Sequence, residues 1–316
     1  MIGSASPRFG RVLTAMATAM DQNGGVDYDG TVDLAKWLVE NGSDALVVTG
    51  TTGEAPTLTD DEKVSLWEAV SSSVSVPVIA GSGSNDTLHS MHMTSRAQEV
   101  GVAGVLIVTP YYNRPPQSGI LAHFEAVANE TDLPVLIYDI PVRTGRKVDS
   151  DTLLELASRC SNVVALKDAA GDPAATARLA PQLPKNFEIF SGDDGLTLPL
   201  LTIGAVGVIG VATHWVGFGY QELISAFLQG NVVRAQMINE ALLNSVDFES
   251  KPDAPNPMPV KVMLNQLGLS VGGTRLPLGA APSYLANEAI EVFTSTNVAL
   301  DALGVKVAVP KKEIRG

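Results

Sequence analysis

In the stretch NVVALKDAAGD, residues 162–172, a lysine follows an apolar run with no break. Val163, Val164, Ala165 and Leu166 read as a short buried strand. An ammonium at the end of such a strand either snorkels to water or is kept for its amine. Other short apolar runs end beside groups that can also do chemistry: TGTTGE at 49–54, TPYYNRPP at 109–116, YDIPVRTG at 138–145, SGDDG at 191–195 and GVIGVATH at 207–214. A lysine withdrawn from water loses proton affinity, so part of it is neutral and nucleophilic toward a ketone. The protonated imine that results is an electron sink, which makes the adjacent carbon acidic and supports making or breaking carbon–carbon bonds. Threonine and tyrosine hydroxyls both donate and accept, so they can relay the protons such steps require. Arginine presents a fork to a carboxylate. A small α-keto acid fits this set as a first substrate.

Those residues work together only if the runs bring them to one place. Apolar runs at 12–15, 45–48, 78–80, 104–108, 135–138, 163–167, 188–191 and 207–210 predict eight strands. They recur every 20 to 35 residues or so, with helical spacing between them, as at 32–41 and 60–73. Thr59 followed by three acids predicts a capped helix start. Eight such units spell a (β/α)8 TIM barrel over residues 1–230, with a C-terminal helical region over 231–316 broken at KPDAPNPMP. In that fold the chemistry gathers where strands end at the C-terminal face.

The composition narrows the function class. The chain has 316 residues, 45% of them hydrophobic, and a net charge of −13. That is ample for a large core, and so acidic a surface disfavours nucleic acid and anionic membrane as partners. One cysteine, Cys160, excludes an intrachain disulfide framework and a cysteine-built metal cluster. No stretch approaches the roughly 18 unbroken apolar residues of a membrane helix, and the N-terminal apolar segment is short and interrupted by threonine. The expectation is a soluble cytoplasmic protein.

GTTGE, TPYYNRP, YDIPVRTG, the strand-end lysine of ALKDAAGD and SGDD together resemble the dihydrodipicolinate synthase family of class I pyruvate lyases, in order and over the whole chain. The resemblance implies that Lys167 forms an imine with pyruvate and that aspartate 4-semialdehyde then adds, closing to 4-hydroxy-tetrahydrodipicolinate for lysine and cell-wall biosynthesis. It implies that Tyr138 donates and accepts protons beside the imine. Thr51 and Tyr112 would complete the relay, Tyr112 reaching across from a neighbouring subunit. Thr52 and the backbone at Ile209 would hold pyruvate, Arg143 the semialdehyde carboxylate, and Gly192 would lie against the substrate. Neither a metal nor an organic cofactor is implied, and the family's usual assembly is a homotetramer built as a dimer of dimers.

Two departures stand out. Relatives often read threonine-proline where this chain has Thr18-Ala19, a change expected to alter a turn. Lysine-inhibited members present two histidines, an asparagine, a glutamate and a tyrosine at an interface effector site. Asn85 and Tyr111 match that set, but Asp60 and Lys63 replace the histidines and His89 replaces the glutamate. Weak or absent lysine inhibition is therefore expected.

Blander readings cover the remaining features. His89 and His92, at i and i+3, read as a solvated helix face. Asp193 and Asp194 read as loop residues, and Cys160 as a small residue at a helix end. Gly204, Gly207 and Gly210 lack the spacing of a dinucleotide fingerprint and read as room for a ligand near the barrel floor. The nearest rival activity is an N-acetylneuraminate or 2-keto-3-deoxy-sugar-acid lyase on the same fold, which should not need Arg143 or the paired tyrosines. A non-catalytic homologue is the rival from a different class.

Overall fold

The structure is a computed structural model that describes residues 6–311. Among them eight parallel strands pair in chain order and close into a barrel: β1 (Val12–Ala15), β2 (Ala45–Val48), β3 (Val78–Gly81), β4 (Gly104–Val108), β5 (Val135–Asp139), β6 (Val163–Asp168), β7 (Glu188–Ser191) and β8 (Gly207–Gly210), with β8 returning to β1. All eight lie where the apolar runs predict them, and three extend one residue further. The intervening helices are α1 (Tyr28–Glu40), α2 (Asp60–Ser71), α3 (Thr87–Val100), α4 (Gln117–Asn129), α5 (Pro141–Thr144), α6 (Ser150–Arg159), α7 (Pro173–Leu179), α8 (Thr197–Leu201) and α9 (Thr213–Leu228). Three more follow: α10 (Val232–Phe248), α11 (Met258–Gln266) and α12 (Leu285–Ala302). No helix of the described residues is long and apolar enough to cross a membrane.

Helix starts follow local chemistry. Thr59 and Glu62 form the reciprocal capping box that the sequence predicts for α2. The first helix begins four residues before the expected 32, because the Asp27 side chain accepts from the Gly30 amide at 2.9 Å and fixes the first turn there. At the Thr18-Ala19 departure, the Ala19 amide donates to Thr31 Oγ1 at 3.0 Å. A proline would lack that hydrogen, so the substitution ties the loop after β1 to α1.

Strand residues divide between two apolar layers. Leu13, Val47, Ile79, Leu106, Leu136, Phe190 and Ile209 fill the barrel interior, whereas Val12, Leu46, Val78, Val105 and Ile137 face the helices. One irregularity interrupts this alternation. Val135 pairs with Val163 but Leu136 pairs with Ala165, so β6 carries one extra residue at Val164. Such a bulge reverses the facing of everything beyond it. Val163 packs outward, Val164 and Ala165 both lie with the interior group, and Leu166 faces outward. Lys167 is thereby aimed into the barrel.

Residues beyond 230 reach back to the mouth. Helix α10 packs on α9 and α12, and α11 packs on α12. From α11, Lys261 forms a fully buried ion pair with Glu54 of the turn after β2 and also donates to the Gly273 carbonyl at 2.7 Å. The Arg275 amide donates to the second oxygen of Glu54 at 2.8 Å, and its guanidinium grips Glu62 through both nitrogens. Removing one member of a buried pair strands the other charge at a cost of about 3–5 kcal/mol. Lys261→Met is expected to lower the urea unfolding free energy by that amount. A loss below about 1 kcal/mol would mean that Arg275 alone can compensate Glu54.

Candidate active site

A cavity of about 300 Å³ opens at the C-terminal end of the strands, lined among others by Thr51, Thr52, Tyr138, Arg143, Lys167 and Gly192. Six of the residues singled out in the sequence therefore meet at one mouth. Lys167 and Tyr138 sit directly opposite each other in the β5–β6 register, with the lysine Nζ 4.4 Å from the centre of the phenol ring. That distance suits a cation over an aromatic face. Lys167 is only 4% exposed. Burial pulls its ammonium down to about 8, against the negative charge held by the Asp194 and Glu249 carboxyl groups, which favours the cation, while Arg143 opposes it. About a tenth of the amine is thus neutral at pH 7. Burial pushes the Tyr138 phenol up to about 12, with Arg143 and the Thr51 hydroxyl pulling it part of the way back. The phenol is consequently a proton-bearing group at neutral pH, suited to donating and recovering a proton rather than to standing as an anion.

The supporting residues follow from close packing. A Cβ on Gly192 would lie 2.9 Å from the Lys167 Cγ and 3.0 Å from the Ala169 Cβ, so glycine lets the chain just after β7 pass this close to the lysine. Thr52 is buried, and its hydroxyl accepts from the Asn256 amide nitrogen at 3.0 Å. Arg143 projects from the short α5 and is solvent-exposed at the rim. Ile209 lies in β8 with its side chain among the interior apolar residues. Tyr112 is not brought to this chain's own mouth: it is 90% exposed and held at φ 73°, a left-handed conformation rare for a bulky side chain.

A second cavity, of about 500 Å³, adjoins the first and shares Thr51, Tyr138, Ile140 and Arg143 with it. Asn85 and Tyr111 line it, with Asp60, Lys63, Ser84 and His89. The solvated-face reading fails for His89, whose Nε2 contacts Asp60 at 2.9 Å and whose Nδ1 contacts Ser84 at 3.1 Å. It holds for His92, which is exposed. Three further expectations need correction. Gly207 and Gly210 do not make room for a ligand: a Cβ would lie 2.0 Å from the Arg11 carbonyl at the first and 2.5 Å from the Asp194 carboxylate at the second. Gly204 instead supplies a turn at φ 111°. Asp194 is a buried acid behind the mouth and not merely a loop residue.

Sequence reasoning missed Asp194 in this role, together with Glu249 and Asn256, which line or back the cavity from the far end of the chain. Their contacts to the Ala212 amide and to Thr52 span 18, 37 and 204 positions. Only the DD pair gave any signal.

A closed parallel barrel whose buried lysine opens onto a polar mouth defines a (β/α)8 enzyme. A family model described as the dihydrodipicolinate synthetase family matches residues 8–292, and the chain belongs to that family. It is 46% identical over 272 residues to the 4-hydroxy-tetrahydrodipicolinate synthase of Bacillus subtilis, covering 85% of this chain and 93% of that one. With the same-named protein of Thermosynechococcus vestitus it shares 45% identity over 302 residues, 94% of this chain and 98% of that one. Among solved structures it is similar to a dihydrodipicolinate synthase of Cyanidioschyzon merolae with lysine bound, at 41% identity and a TM-score of 0.90 over 93% of this chain and 100% of that one.

The depressed lysine carries its own test. Modification of Lys167 by an amine-directed reagent, followed by mass spectrometry against pH, should show a midpoint near 8. A midpoint above 10, where ordinary lysines titrate, would contradict the dry environment described.

Proposed function

We propose that the chain condenses pyruvate with aspartate 4-semialdehyde through an imine on Lys167 to give 4-hydroxy-tetrahydrodipicolinate. The buried Lys167 amine, set against Tyr138 with Arg143 at the rim, is the observation that carries this reading. The lysine lone pair attacks the pyruvate ketone, a C–N bond forms, and the carbonyl oxygen takes up a proton. A second proton expels that oxygen as water and leaves the iminium. Loss of a methyl proton gives the enamine, whose carbon attacks the semialdehyde aldehyde. The aldehyde oxygen takes up a proton and the iminium re-forms. The semialdehyde's own amine then adds to the iminium carbon, closing the ring and releasing the Lys167 amine. Tyr138, protonated at neutral pH, hands protons on through Thr51. Thr52 holds the keto acid together with the backbone near Ile209, and Gly192 leaves room beside the lysine. Arg143 binds the second substrate's carboxylate, which a sugar aldehyde lacks. The reaction needs no metal or organic cofactor, and we place the enzyme in the cytoplasm.

Purified protein should consume pyruvate with the semialdehyde and not with N-acetylmannosamine or glyceraldehyde. Arg143→Ala should lower kcat/KM for the semialdehyde on the order of a hundredfold. Turnover with a sugar aldehyde instead would assign the chain to the sugar-acid aldolases. In the same assay added lysine should inhibit weakly or not at all. The second cavity already pairs Asp60 with His89 and Lys63, so a lysine ammonium meets an extra cation and an occupied carboxylate. Inhibition at sub-millimolar lysine would contradict this.

We further propose a homotetramer, a dimer of dimers, in which Tyr112 enters the neighbouring subunit's mouth. The strained, exposed tyrosine supports the reading, since a large apolar ring held outward in a costly conformation calls for a partner. Sedimentation should give a mass near four chains, and a monomer retaining full activity would refute a role for Tyr112 in trans.

A further inference from the structure

Behind Lys167 lie two carboxyl groups that the reaction above does not use. Asp194 follows β7 and is 2% exposed, and Glu249 closes α10 and opens onto the lysine cavity. Both converge on one backbone amide: Ala212 N–H donates to Asp194 Oδ1 at 3.2 Å and to Glu249 Oε2 at 3.1 Å. Asp194 has a donor of its own as well, the Val211 amide, at 2.8 Å from Oδ2. The buried Tyr220 hydroxyl of α9 lies near Asp194 and makes no hydrogen bond of its own. Two carboxyl groups that converge on one amide, one of them fully buried and both short of donors, cannot both be ionised. The acid with more N–H donors keeps the negative charge, which assigns the charge to Asp194 and the proton to Glu249.

We propose that Asp194 and Glu249 share one proton and one negative charge, with Asp194 the anion and Glu249 the acid, and that this charge is the built-in counter-ion of the cationic nitrogen at Lys167. The proposal rests on the imine reading, and both residues act as positioning residues. Burial raises both acids, Asp194 to about 6 and Glu249 well above the carboxylate range, each further raised by the other or by Asp193. The groups facing Lys167 are Asp194 and Asp193 after β7, Glu249 from α10, Arg143 from α5 and Tyr138 from β5. Of these, Arg143 adds positive charge and Asp193 is exposed to solvent, so the carboxyl pair is what makes an iminium tolerable in so dry a site.

The test follows pyruvate and borohydride mass addition at Lys167 against pH in the full chain. Asp194→Asn should move the midpoint about one unit toward acid and weaken the imine equilibrium about tenfold. Glu249→Gln, which resembles the protonated acid, should shift the midpoint by less than about a third of that. The reverse pattern would put the charge on Glu249, and no shift in either variant would remove the counter-ion; either result overturns the proposal. Absence of trapping in the unaltered chain would instead sink the imine reading itself. Should Asp194→Asn fail to fold, infrared difference spectra between the unaltered chain and Glu249→Gln at neutral pH still decide. A protonated carboxylic acid band lost in the variant is expected, and its persistence would refute the assigned proton.

Discussion

Taking an ammonium out of water is costly, and the surroundings of Lys167 are arranged around it. The extra residue at Val164 turns the strand so that the side chain points inward and not toward the helix layer. Once inside, the lysine needs room, which Gly192 provides, and a face that tolerates positive charge, which the Tyr138 ring provides. It also needs a negative charge near enough to be felt. A fully ionised pair of acids would over-compensate and would itself be unstable away from water. A single shared charge satisfies the lysine while leaving its amine partly neutral, which is the state that nucleophilic attack requires.

The barrel strands alone do not complete this arrangement. Glu249 arrives from the end of α10, and Asn256 follows it to anchor the Thr52 hydroxyl. Lys261 and Arg275 hold Glu54, two residues beyond Thr52 in the same turn, and Glu54 itself sits in a left-handed conformation at φ 59°. Such a backbone persists only where its surroundings over-determine it. The helices beyond residue 230 therefore fix the turn that carries Thr51 and Thr52, and the mouth is built from both ends of the chain.

What could be read from the sequence follows from how far each contact reaches. The strands were legible because parallel strands buried on both faces show as continuous apolar runs, and the α2 start was legible because a capping box is a local pattern. Lys167, Tyr138 and Arg143 were legible as strand-end chemistry and through the motifs they sit in. Asp194 and Glu249 were not, because their meeting on the Ala212 amide joins positions 18 and 37 residues apart with no periodic signal. Gly207 and Gly210 were recognised as positions needing small residues, but the neighbour that demands it, a backbone carbonyl in one case and a buried carboxylate in the other, appears only in three dimensions. His89 was misread for the same reason, since Asp60 lies on a different helix.

The two cavities cannot be treated as independent. Thr51, Tyr138, Ile140 and Arg143 form a wall common to both, so a group that fills the larger crevice presses on side chains that serve the smaller. The floor of the crevice is polar and internally paired, with Asp60 held between His89 and Lys63. Tyr111 at its edge is half-buried and adjoins Tyr112, whose ring points out to solvent. A partner subunit that covered Tyr112 would therefore also close over Tyr111. The same contact would then shape both the route for protons and the outer wall of the crevice, linking the chemistry at Lys167 to whatever occupies that space.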